Sequence, residues 1–151
     1  MGNVKELLLL ETDGSCAACG LRDPRFLTTH HIEQTKPKNE AYDNKIIICH
    51  NCHHALNNGK GLTPEDIRDI KRRLIIKTLT RPGLNALKEG YRRGLVIALP
   101  FLVNHLVEQG FLVLQEELEI WEEDDGSQAI IKARYAITPD ALKLLDKWQL
   151  R

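Results

Sequence analysis

The spacing of apolar and polar positions divides the chain into stretches of different period. At Thr63-Pro64-Glu65-Asp66 a threonine cap, a proline at the first helical position and two acids open a helix. Ile67, Ile70, Leu74 and Ile75 then recur at helical spacing, with Arg68, Lys71, Arg72 and Arg73 mostly on the other sides. The pattern predicts a basic amphipathic helix to about Leu79. Arg81-Pro82-Gly83 is expected to break it, and a second short helix should run over 84–92. Leu99-Pro100 through Gln109, closed by Gly110, predicts a third helix. Residues 111–121 and 129–137 alternate as two strands around an Asp124-Asp125-Gly126-Ser127 turn, and Thr138-Pro139 starts a last helix that buries Leu142, Leu145 and Trp148. Nearer the N-terminus, 26–32 and 45–48 read as strands. Cys49 onward reads as a helix, because nothing breaks the chain before Asn57-Asn58-Gly59.

Composition changes this picture in two places. Only 23 of the first 61 residues are apolar, four of them cysteines, so this segment has too little core material to fold by burial alone. It needs a staple. The 21 basic and 21 acidic side chains cancel in sum but not in place. Residues 1–61 are neutral, 62–98 carry nine positive against four negative charges, and 99–151 carry five against ten. No apolar run approaches the roughly 18 to 20 residues that span a bilayer, and leucines 7–10 are too few for a signal-peptide core. A cytoplasmic protein with no membrane partner is the expectation. The expected class is α+β: a zinc-stapled module over 1–61, a basic connector helix over 62–80 and a further domain over 81–151.

Cys16-Ala17-Ala18-Cys19 and Cys49-His50-Asn51-Cys52 are two C-x-x-C pairs with 29 residues between them. Two such pairs supply the four thiolates of a tetrahedral zinc cage, and a redox role for either pair is the alternative reading. Structural zinc contributes roughly 10–16 kcal/mol in small finger peptides at neutral pH, enough to decide whether the segment folds. Five of the six histidines lie between positions 30 and 54. On the expected helix, His53 and Asn57 are four residues apart and share a face.

The C-x-x-C-G element, then His30-His31-Ile32, then Asp43-Asn44 followed by Cys49-x-x-Cys52-His53, with Asn44 nine positions before His53, resembles the HNH endonucleases of the ββα-metal superfamily. The resemblance covers about residues 16–61 and implies a ββα-metal module. Residue by residue it implies that His31 is the general base and that Asn44 pins the loop between the two strands. It further implies that His53, with His30 as a second ligand, holds a catalytic divalent ion. Asn57 stands where several relatives carry another histidine; its amide oxygen still suits a hard cation, so Mg²⁺, Mn²⁺ and Zn²⁺ all remain open. By alternation alone, His30 is exposed and His31 is a satisfied core group, which is the structural alternative.

Such chemistry needs these groups. Phosphodiester hydrolysis deprotonates an attacking water, and an imidazole with a pKa near ~6.5 suits that task at neutral pH. A divalent ion neutralises the charge that grows on phosphorane and leaving oxygens. The function expected is therefore metal-dependent DNA endonuclease activity, leaving 5′-phosphate and 3′-hydroxyl ends as the resemblance implies. The alternative is a non-catalytic, zinc-stabilised DNA-binding or protein-interaction module. Lys60, Arg68 and Arg72 are candidate DNA contacts, although a charge run is usually a solvated helix face.

Residues from about 80 to 151 resemble a winged-helix domain, through the phrase from Leu102 to Leu112, the hairpin after it, and Tyr135-Ala136-Ile137-Thr138-Pro139 before the final helix. The helix that such domains place in the major groove has no lysine or arginine over 99–109, and seven acids fall within 116–125. Phosphate contacts supply most of the affinity for DNA, so this half is expected to face a second copy or another protein.

Overall fold

The computed structural model describes residues 3–151 and has a mixed α+β architecture. The chain divides into two compact units, one ending at Thr78 and the other running Leu79–Arg151.

The first unit contains α1 (Val4–Thr12), β1 (Leu27–His31), β2 (Lys45–Cys49), α2 (His50–Asn57) and all but the last residue of α3 (Pro64–Leu79). β1 and β2 form an antiparallel ribbon, with Leu27 opposite Cys49 and His31 opposite Lys45. A two-stranded ribbon is marginal in water unless something covers it. Here Ile46 and Ile48 of β2 are fully buried and join Cys16, Cys49 and Ile67 in one core, against which Leu27, Ile32, Leu56, Leu62, Ile70 and Leu74 pack. The helix expected as a connector is thus core material as well. Its polar face is narrower than its sequence implies. Ile67, Lys71 and Ile75 lie four residues apart and all three are buried, so Lys71 belongs to the apolar stripe and not to the solvated side.

Three elements of this unit had no expectation. α1 is capped by the Asn3 side chain, which accepts from the Lys5 amide, and it ends at Asp13 in the left-handed conformation. One 3-10 turn, Pro24–Phe26, leads into β1 and takes Phe26 out of the expected strand, and another, Tyr42–Asn44, leads into β2.

The second unit contains α4 (Arg81–Arg93), β3 (Leu95–Ala98), α5 (Pro100–Glu108), β4 (Leu112–Glu122), β5 (Gln128–Ile137) and α6 (Pro139–Lys147). Its antiparallel sheet has the order β3-β5-β4. Leu87, Val96, Val103, Leu106, Leu112, Ala133, Tyr135 and Leu145 are buried in this unit. Arg81-Pro82-Gly83, expected as a breaker, is instead the first turn of α4. The break falls at Thr80, which takes a φ of +64° and whose hydroxyl accepts from the Gly83 amide. Gly83 must be glycine for a steric reason: a Cβ there would lie 2.8 Å from His105 Nε2, which itself holds the Leu79 carbonyl at 2.7 Å. Beyond Leu112, β4 is exposed along its whole length. No helix among the described residues is long and apolar enough to cross a membrane.

Candidate metal centre and histidine cluster

Four thiols converge where the ribbon meets α2. The Sγ atoms of Cys16, Cys19, Cys49 and Cys52 all lie within 4.8 Å of one another, and Cys19 and Cys49 are 3.6 Å apart. A tetrahedron with Zn–S bonds of ~2.3 Å has edges of about 3.8 Å, so the cluster has the size that zinc requires. Two knuckles build it. In the first, the Cys19 amide donates to Cys16 Sγ at 3.4 Å, the Gly20 amide closes on the Cys16 carbonyl, and the Ala17 amide ties the turn to the Ile47 carbonyl of β2. In the second, Cys49 caps α2 and its sulfur accepts from the Cys52 amide at 3.4 Å.

Burial pushes Cys16 up, but N–H groups of the Cys19, Cys49 and Ala18 backbone outweigh it and bring its pKa down to about 7. Burial and then its three thiol neighbours push Cys52 up. A divalent ion bound to all four would favour the thiolate at every position. The cluster is compatible with a structural zinc. Among the described residues, no other group of three or more His, Cys, Asp or Glu side chains has its ligand atoms gathered this way.

The histidines lie beside this staple. His30, on β1, and His53, one residue past the last cysteine on α2, meet edge to face with ring centroids 5.2 Å apart. Burial first, and then the neighbouring His53 and His31, holds His30 below the usual histidine range, which favours the neutral ring that can ligate a metal. Asn57 is exposed one turn further along α2. His50 and His54 are exposed too, and Asn58 donates to the His54 carbonyl at 2.8 Å.

His31 ends β1. Its side chain is four-fifths buried and its Nε2 lies 3.0 Å from Glu40 Oε1. Lys45, its partner across the ribbon, grips the other oxygen of the same carboxylate. Lys45 first and His31 second hold Glu40 below the usual glutamate range.

Asn44 is fully buried, and its side chain closes the loop on itself. Its Oδ1 accepts from the Glu33 amide at 2.8 Å, and its Nδ2 donates to the carbonyls of Asn39 at 2.9 Å and Glu33 at 3.2 Å. Its own carbonyl takes the Ile32 amide at 2.8 Å. The backbone on both sides of the eleven-residue excursion is thus held by one side chain.

Of the candidate DNA contacts, Lys60 and Arg72 are exposed, and Arg68 pairs with Glu33 at 3.4 Å. Sequence reasoning missed Glu40 and Lys45. Lys45 carried a usable signal, since a residue opposite His31 in an antiparallel ribbon must share its face; Glu40 lies in a polar loop without period and carried none. Comparison of the chain with protein-family models, curated proteins and solved structures returns no match.

Proposed function

We propose that this chain is a metal-dependent DNA endonuclease of the HNH type, built on a ββα-metal module, with a winged-helix-like second unit. The observation that carries the reading is one constellation on a four-cysteine scaffold: His30 against His53, His31 against Glu40, and Asn44 bonded to the loop between them. Zinc folding needs only the cysteines. It gives no reason for two imidazoles in contact, a third held by a carboxylate, and a fully buried asparagine with three side-chain hydrogen bonds.

His31 is the general base. A carboxylate can only accept, so its contact with Glu40 engages Nε2–H and leaves Nδ1 free to take a proton from water. Glu40 fixes the ring and offsets the positive charge that the ring gains, while Lys45 holds Glu40 in place. His30 and His53 offer two nitrogen donors, with the Asn57 amide as the third candidate. This donor set suits a catalytic ion that keeps positions open for water and phosphate. When bound there, a divalent ion supplies charge neutralisation at the phosphorane and at the departing 3′-oxygen. Asn44 keeps the His31 end of β1 in register. Lys60, Arg68 and Arg72 are the candidate phosphate contacts. The second unit is assigned to a protein partner or a second copy, because seven acids between Glu116 and Asp125 repel a duplex.

The test is plasmid cleavage with Mg²⁺, Mn²⁺ or Zn²⁺, comparing wild type with His31→Ala. Metal-dependent nicking that the variant lacks supports the reading. Equal background cutting by both proteins under all three metals ends it and leaves the zinc-stabilised binding module in its place.

A further inference from the structure

Glu11 of α1 and Lys71 of α3 have side chains with no exposure to solvent, and Lys71 Nζ lies 2.7 Å from Glu11 Oε1. Tyr42 completes the cluster. Its hydroxyl donates to Glu11 Oε2, and its ring face lies 3.9 Å beneath the Lys71 ammonium. Thr78 Oγ1 is 3.5 Å from the same hydroxyl. The tyrosine is therefore gripped at its edge by an anion and at its face by a cation, which fixes both its depth and its tilt.

This arrangement is a poor choice for stability alone. Two charges taken out of water cost several kcal/mol each in desolvation, and apolar residues of similar volume in place of such a pair are often neutral or stabilising. Burial pushes Glu11 up and Lys71 down, so each side chain resists the charge that the other requires. What a buried ion pair offers over leucine and methionine is direction.

Tyr42 opens the 3-10 turn whose last residue is Asn44. We propose that Glu11, Lys71 and Tyr42 are positioning residues: a buried clamp that fixes the Tyr42–Asn44 turn, and through Asn44 the Ile32–Glu33 backbone next to His31. The inference rests on the nuclease reading for its consequence and not for its geometry. The path is continuous: ion pair to tyrosine, tyrosine to turn, Asn44 to the Ile32 and Glu33 amides.

Two variants test it on the zinc-loaded full chain. Tyr42→Phe removes only the hydroxyl, and Glu11→Leu with Lys71→Met replaces the pair by apolar groups that keep the unit folded. Amide exchange of Ile32 and Glu33 is read against that of Ala17, which bonds to Ile47 away from the clamp. In both variants the first two amides are expected to exchange at least tenfold faster while Ala17 is unchanged and one zinc is retained. Plasmid-nicking kcat should fall by the same order with KM unchanged. Wild-type exchange at Ile32 and Glu33 in both variants overturns the clamp, as does equal acceleration at Ala17, which makes the cluster a plain stability element. If wild type does not nick DNA, the nuclease reading fails alone, and exchange still judges the clamp.

Discussion

His31 Nε2 and Glu40 Oε1 are 3.0 Å apart, and the same glutamate takes Lys45 on its second oxygen. This relationship ranks the effects of substitution. His31→Ala should lower nicking by the ~10²–10⁴-fold that base catalysis typically supplies. Glu40→Gln keeps an acceptor and loses the charge, so it should fall between wild type and Glu40→Leu, which loses both. The order wild type, Glu40→Gln, Glu40→Leu, His31→Ala in single-turnover rate is the expected result. A Glu40→Leu variant as fast as wild type removes Glu40 from the proposed site.

The same contact sets a pH window. Lys45, and secondly His31, depress the Glu40 carboxyl below its ordinary 4.5. A depressed acid contributes stability above its unfolded pKa and loses it as pH falls through the folded value, so the Glu40 contacts should stay intact at pH 5 and release only below 4.5. A carbon-detected NMR titration of the Glu40 carboxyl should give a midpoint below 4.5, and Lys45→Met should move it upward. An unmoved midpoint in that variant means that Lys45 is not what holds it.

Zinc removal should separate staple from site. The four thiols enclose a space of zinc's size, and Cys16 and Cys49 are themselves part of the buried core that covers the ribbon. Native mass spectrometry should find one zinc, and a strong chelator or Cys49→Ser should melt the first unit, in which Cys49 ends β2 and caps α2. On the nuclease reading, His30→Ala should keep that zinc and weaken the binding of a second divalent ion, read by titration calorimetry with Mn²⁺. A folded, metal-free wild type contradicts the staple.

The parts of this molecule that were legible in the sequence are those where a period or a spacing survives. β1, β2, α2, α3 and the long hairpin follow alternation, helical spacing or cap chemistry, and the C-x-x-C pairs located the thiol cluster. α1 was not legible because Leu7 to Leu10 form an unbroken run, which has no 3.6-residue signal; only Leu8 of the four is buried. β3 is four residues long, too short for a pattern. The clamp was hidden for a different reason. Lys71 has the composition of a solvated face, and only its place between Ile67 and Ile75 marks it as interior, a place that becomes meaningful once Glu11, sixty positions away, is known to meet it.

The hairpin of the second unit yields the last expectation. β4 is exposed beyond Leu112 and carries Glu116, Glu117, Glu119 and Glu122, with Glu123, Asp124 and Asp125 in the turn; Arg134 pairs with Glu116 at 2.8 Å, and Lys132 stands opposite Glu119. Two bases against seven acids leave a surface that repels phosphate. Neutralising Glu122, Glu123, Asp124 and Asp125 as the amides should therefore leave plasmid affinity unchanged or raise it severalfold at low salt, with the gain vanishing as the Debye length shrinks toward ~8 Å at physiological ionic strength. A mobility-shift series across salt concentrations measures this. If the neutralised protein binds DNA more weakly, the hairpin contacts DNA through groups other than its charges, and its assignment to a protein partner is wrong.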